Sequence, residues 1–155
     1  MARQPALSAR LSALAAVTRG LEAELVLHVP SDVALIEEAV ALVARHLEAQ
    51  FVDRRTIRFN LRVALAEALS NAIVYGNGGD AAKHVTVRVL FGRTVIEMEV
   101  TDQGDGFRPG NVPDPTTPDR IEHPQGRGIF LIQRLVDEVR YNDKGNAICM
   151  ILRRA

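Results

Sequence analysis

Hydrophobic and polar positions change period several times along the chain. Leu25, Leu27 and Val29 alternate with Glu24, Val26 and His28, a two-residue period that predicts a strand. Pro30-Ser31 follows, with Ser31 as the expected N-cap of a helix whose apolar face carries Val33, Ile36, Val40, Val43 and Leu47. A second helix is predicted from about Thr56 to Tyr75, ending in the breaker "GNGGD". "HVTVRVLF" and "VIEMEVTD" both alternate, and Gly92-Arg93 between them reads as a hairpin turn. Residues 104–128 hold five of the seven prolines and five of the eleven glycines, which predicts a loop. "GIFLIQRLVDEV" then reads as a helix and "AICMIL" as a buried strand. Ahead of all of these, Leu7, Leu11, Leu14 and Val17 share one side of a helix. Residues 1–21 are therefore expected to be a helical extension and residues 22–155 the domain proper.

The order of the main elements is strand, helix, helix, hairpin, long loop, helix, strand. It predicts an α+β, two-layer sandwich: a mixed, mostly antiparallel sheet with helices on one face. A doubly wound parallel sheet does not fit, because the hairpin and the two adjacent helices break the strand–helix alternation. A length of 155 residues suits one domain with one core.

Charge narrows the partners. The formal net charge is +0, so no basic footprint favours nucleic acid or an anionic membrane surface, and neither is expected. No apolar run reaches the length of a membrane span. The first twenty residues look faintly like a signal peptide, but Arg10 interrupts their apolar stretch. The single cysteine, Cys149, excludes a disulfide framework and points to the cytoplasm.

The second helix carries the first candidate chemistry. Glu67 and Asn71 lie about 40° apart on a helix that is otherwise apolar nearly all round. A buried carboxylate must be paired and a buried amide hydrogen-bonded. One reading is structural, with Arg58 or Arg62 pairing Glu67 and Asn71 tying down a loop. The other is that both line a cleft. There the amide oxygen would be a hard ligand of the kind Mg²⁺ accepts beside phosphates, and the carboxylate would accept a proton from an attacking hydroxyl.

Two glycine segments follow. "VTDQGDGF" places Asp102 at a strand end beside Gly104 and Gly106, which let the backbone turn and approach a ligand. Asp102 is then an acceptor suited to an exocyclic amine such as that of adenine, although a plain surface turn uses the same residues. A calcium loop would need more oxygens than Asp102 and Asp105 supply. "HPQGRGIFLI" puts Gly126 and Gly128 at a helix start, where free N–H groups can take a phosphate or simply begin a helix. Neither common phosphate-loop pattern is present. Between the segments, residues 108–125 are long enough to be a lid, with Arg108, Arg120 and Arg127 able to bring charge to it.

The three segments in this order resemble the ATP-binding domain shared by histidine kinases, gyrase-type ATPases and the small anti-sigma-factor serine/threonine kinases. Glu67-Ala-Leu-Ser-Asn71-Ala looks like the N box, Asp102-Gln-Gly104-Asp-Gly106-Phe like the first glycine box and Gly126-Arg-Gly128 like the second. "EALSNAIVYGN", "PDPTTPDRIEHPQGRGIFLIQRLVDEVRYN" and "GNAICMILRR" bring the likeness closest to the anti-sigma-factor kinases, over residues 22–153.

The resemblance implies ATP and Mg²⁺ as cofactors, with Asn71 ligating the metal, Glu67 as general base and Asp102 binding the adenine amine. It implies that Gly104 and Gly106 shape the base pocket, and that Gly126, Arg127 and Gly128 hold phosphates. The family phosphorylates a serine or threonine of an anti-sigma-factor antagonist, which competes with a sigma factor for the kinase, and many members are homodimers. Two features depart from the pattern. Asn146 follows Gly145 where members often carry a threonine near the adenine, and the N-terminal extension is not part of the core pattern.

A second expectation is a nucleotide-binding module that holds a sigma factor or antagonist without useful phosphotransfer. A third, the catalytic part of a histidine kinase, fits less well. Too little chain precedes residue 22 for a phosphoacceptor helix hairpin, and His28, His46, His84 and His123 are scattered.

Overall fold

Strand alternation and helical stripes assemble into one antiparallel sheet covered on a single face. The computed structural model describes residues 6–13, 21–49, 55–105 and 124–154. The strands are β1 (Ser8–Ala13), β2 (Leu21–Pro30), β3 (His84–Gly92), β4 (Val95–Thr101), β5 (Glu138–Tyr141) and β6 (Ala147–Arg153). They pair in the order β1-β2-β3-β4-β6-β5, and every pairing is antiparallel. The helices are α1 (Ile36–Ala49), α2 (Arg55–Asn71) and α3 (Pro124–Leu135).

The two-residue period sends Leu25, Leu27 and Val29 of β2 to the same side as Val87 and Val89 of β3, Ile96 and Met98 of β4 and Met150 and Leu152 of β6. All are buried in one core with Val43 and Leu47 of α1, Leu61, Leu65 and Leu69 of α2, and Ile132 of α3. The opposite face is mixed: Arg88 pairs with Glu24 and Arg140 with Glu138, each at 2.7 Å, beside the buried Leu90 and Ile151. The α+β sandwich with helices on one face is thus the observed architecture.

Several local expectations are corrected. Residues 8–13 form β1 rather than part of a helix, pairing from Ser8↔His28 to Ala13↔Ala23. The leucine spacing permits a helix, but β2 offers a row of backbone groups that would otherwise be an open sheet edge. The last helix ends at Leu135 instead of running through "VDEV". Asp137 donates its N–H to the Ile151 carbonyl at 2.9 Å and accepts from the Arg153 N–H at 2.6 Å, so β6 draws the chain into β5. Asp32, not Ser31, caps the turn before α1, accepting from the Ala34 N–H at 2.9 Å.

The end of the second helix also differs. After Asn71 the chain widens into a π turn, Ala72–Gly76, closed by the Asn77 N–H on the Ala72 carbonyl at 2.8 Å. Such turns insert a residue and re-aim the side chains that follow them.

Candidate functional site

Four segments distant in sequence converge: α2, the end of β4, α3 and the β5–β6 turn. They enclose a cavity of about 400 Å³, a volume in the range of small-molecule sites. Ala68, Asn71 and Tyr75 line it from α2 and the π turn, Asp102 and Asp105 from the end of β4, Ile129 from α3, and Tyr141 and Asn146 from the β5–β6 region. Apolar walls with a few polar groups suit a flat, partly polar ligand.

Asp102 is held tightly. Its Oδ1 accepts from the Gly104 N–H at 2.8 Å. Its own N–H donates to the Asn146 carbonyl at 2.9 Å, and its carbonyl accepts from Asn146 Nδ2 at 3.0 Å. The packing here depends on two glycines. A Cβ on Gly76 would run into the Asp102 carboxylate, and one on Gly104 into the Gly76 carbonyl. Burial pushes the Asp102 carboxyl above its ordinary value, against the opposing pull of the Gly104 N–H, Lys144 and Lys83. Burial likewise pushes the Tyr141 phenol up to about 12, so it is neutral at pH 7.

Glu67 and Asn71 are both half-buried. Gly128 of α3 packs directly on them: a Cβ there would lie 3.0 Å from Glu67 Oε2 and 3.0 Å from Asn71 Nδ2. The start of α3 therefore stands against the amide of Asn71. Helix N-termini in general can take an anion on their first N–H groups. Gly126 and Arg127 fall in the first turn of α3.

The two α2 side chains face different spaces. Asn71 lines the cavity; Glu67 lines a separate depression between α1 and α2, with Val33, Ile36, Glu37, Val40, Arg62, Val63 and Ala66. The two side chains remain neighbours, since both approach the same point beside Gly128.

The arrangement brings together Glu67, Asn71, Asp102, Gly104 and Gly128. Gly106 and most of the expected lid, residues 108–123, lie outside the described residues. Reasoning from sequence missed Gly76, whose missing side chain makes room for Asp102. It also missed Asn142, whose Oδ1 gathers the N–H groups of Gly145, Asn146 and Ala147 at 2.8–3.2 Å and so shapes the cavity's far wall. An asparagine four residues before Asn146 in a glycine turn is the signal that could have found it.

The donor set also speaks to a metal. Among the described residues no group of three or more His, Cys, Asp or Glu side chains could hold one alone. Asn71 offers a single amide oxygen beside the α3 N-terminus, which fits Mg²⁺ carried chiefly by phosphates and water. Among the described residues no helix is long and apolar enough to cross a membrane.

Residues 29–152 match the family model described as the histidine kinase-like ATPase domain. Among curated proteins, the chain is similar to the serine-protein kinases RsbW of Listeria monocytogenes (30% identical over 101 residues), Bacillus licheniformis (32% over 98) and Oceanobacillus iheyensis (26% over 98). Each match covers 59% of this chain and 61–62% of the relative, so the chain spans about three fifths of the length of these proteins.

Proposed function

The chain belongs to the histidine kinase-like ATPase family, and on that premise we propose that it is a Mg-ATP-dependent serine/threonine protein kinase of the anti-sigma-factor type. It would phosphorylate an anti-sigma-factor antagonist and, when that partner is absent, hold a sigma factor. A cytoplasmic location and a homodimer belong to the same reading. The similarity to proteins named serine-protein kinase supports it. The observation that carries it is the division of labour on α2: Asn71 faces the cavity while Glu67, one turn away, faces the α1–α2 depression.

In this reading the Asp102 carboxylate would accept from the adenine amine, within the cavity that Ile129 also lines. The α3 N-terminus would take the phosphates, with Gly128 letting the helix start close on Asn71, and with Gly126 and Arg127 in its first turn. Asn71 holds the metal, and Mg²⁺ when bound neutralises charge on the phosphates. Glu67 accepts the proton of the partner's hydroxyl as its oxygen attacks the γ-phosphorus and the bond to the ADP oxygen breaks.

Asp102→Asn tests the base site. An amide still accepts a hydrogen bond, but without the charge that strengthens it, so ATP affinity falls about tenfold. The apo protein responds in the opposite direction. A carboxyl whose pKa is raised on folding binds its proton more tightly in the folded chain. Its stability contribution therefore falls as pH rises from the ordinary 3.8 through the raised folded value. Above the raised folded value that cost is fully present, and Asp102→Asn removes it, so the apo melting temperature there is equal or higher. Calorimetry beside thermal melts reads both. Unchanged ATP affinity removes Asp102 from the base site.

The acceptor segment reaches Glu67 along the α1–α2 depression, where Val33 is 55% exposed. Val33→Glu, which sets a charge against an apolar contact, raises KM for the partner about tenfold and leaves ATP affinity alone. Steady-state kinetics with varied partner check this; an unchanged KM places the acceptor elsewhere.

A further inference from the structure

We propose that Asn77, which does not line the cavity, is a positioning residue for Asp102 and sets the site's preference for a 6-amino purine; the inference rests on the adenine role of Asp102 proposed above. Asn77 is 3% exposed, one of two buried polar residues among those described. It caps the π turn, whose inserted residue turns its side chain inward. Its Nδ2 donates to Ser31 Oγ at 2.8 Å and to the His84 carbonyl at 3.0 Å. Its Oδ1 accepts from the Gln103 N–H at 2.7 Å.

Gln103 N–H belongs to the peptide that leaves Asp102. The carbonyl of that same peptide accepts from Asn146 Nδ2 at 3.0 Å. Two side-chain amides from separate loops therefore grip one peptide group by its two polar ends. The grip fixes the rotation of the backbone on the C-terminal side of Asp102, and with it the direction of the carboxylate. Ser31 anchors the outer end, since its Oγ donates to the Lys83 carbonyl at 2.9 Å. Gln103 Oε1 closes the circuit by accepting from the His84 N–H at 2.8 Å. The start of β3 and the junction before α1 thus hold a residue of the cavity floor from outside it. A misplacement of about 1 Å in such a group is enough to forfeit a directed hydrogen bond.

The test compares binding of ATP with binding of the purine ribonucleoside triphosphate that lacks only the 6-amino group, both by calorimetry with Mg²⁺. The wild-type protein is expected to prefer ATP about tenfold, the worth of one charge-assisted hydrogen bond. Asn77→Ala should cut that preference to less than about threefold while keeping the affinity for the des-amino nucleotide within about twofold. Asn77→Asp, which keeps an acceptor for Gln103, should retain most of the preference. If Asn77→Ala does not fold, Asn77→Ser gives the same readout, its side chain being too short to reach Gln103. Equal weakening of both nucleotides, or a preference that survives Asn77→Ala or Asn77→Ser, overturns the positioning role alone. A wild-type protein with no preference for ATP overturns the adenine role of Asp102, and this inference with it.

Discussion

Glu67→Gln leaves ATP binding intact and lowers phosphotransfer about 10²–10⁴-fold, the usual cost of losing a general base. Glutamine matches glutamate in shape, so the contact with Gly128 is kept. It cannot take a proton at neutral pH. Because Glu67 lines the α1–α2 depression and not the cavity, the ground-state grip on the nucleotide does not depend on its charge. The loss should appear in the chemical step, so single-turnover transfer measured beside ATP titration separates the two. A purely structural Glu67 predicts the reverse: a lower melting temperature, with activity reduced only in proportion to unfolded protein. A folded, ATP-binding Glu67→Gln protein that transfers phosphate at the normal rate would show that Glu67 is not the base.

Gly104→Ala abolishes useful ATP binding, with affinity reduced at least about 100-fold. The added Cβ meets the Gly76 carbonyl, a backbone atom that has no flexible end to move aside. The end of β4 must part from the π turn, which carries the Asp102 carboxylate out of place and forfeits its bond to the base. Overpacking costs about 1–3 kcal/mol, and the lost bond to a charged group about 1.5–3 kcal/mol. Together these span about 2.5–6 kcal/mol, from just under to well above the 2.7 kcal/mol or so that a 100-fold change requires. The melting temperature should drop several degrees. Gly78→Ala supplies the contrast. Gly78 has φ +61 and nothing within 4 Å of a built Cβ. That substitution costs about 1–2 kcal/mol of stability through backbone strain and leaves ATP affinity unchanged. Equal affinity in the two variants would mean that the contact between Gly104 and Gly76 does not shape the site.

The helices and central strands were legible because their residues carry their own period. Val40, Val43 and Leu47 mark α1, and Val87 and Val89 mark β3, whatever lies next to them. The misread elements depend on neighbours. Leu7 and Leu11 satisfy helical spacing, yet the free edge of β2 makes residues 8–13 a strand. Val136 and Asp137 look helical until β6 supplies the Ile151 carbonyl and the Arg153 N–H. Strand choice of this kind is decided by tertiary context rather than local preference.

The site divides in the same way. Glu67 and Asn71 stand out as polar residues on an apolar helix, and Asp102 as an acid at a strand end beside glycines. Their convergence with Gly128 is a property of the fold. Asn77 was invisible because "GNGGD" is fully explained as a helix breaker. Only the π turn and the Asp102–Gln103 peptide reveal that one residue of the breaker points inward.

The reading as a protein kinase is tested most directly by incubating the wild-type protein with Mg²⁺, γ-labelled ATP and an anti-sigma-factor antagonist protein from the same genome, then identifying the labelled residue. The account predicts acid-stable label on a serine or threonine of the partner within a single turnover. ATP that binds but passes its phosphate only to water, or to an acid-labile histidine site, would contradict it.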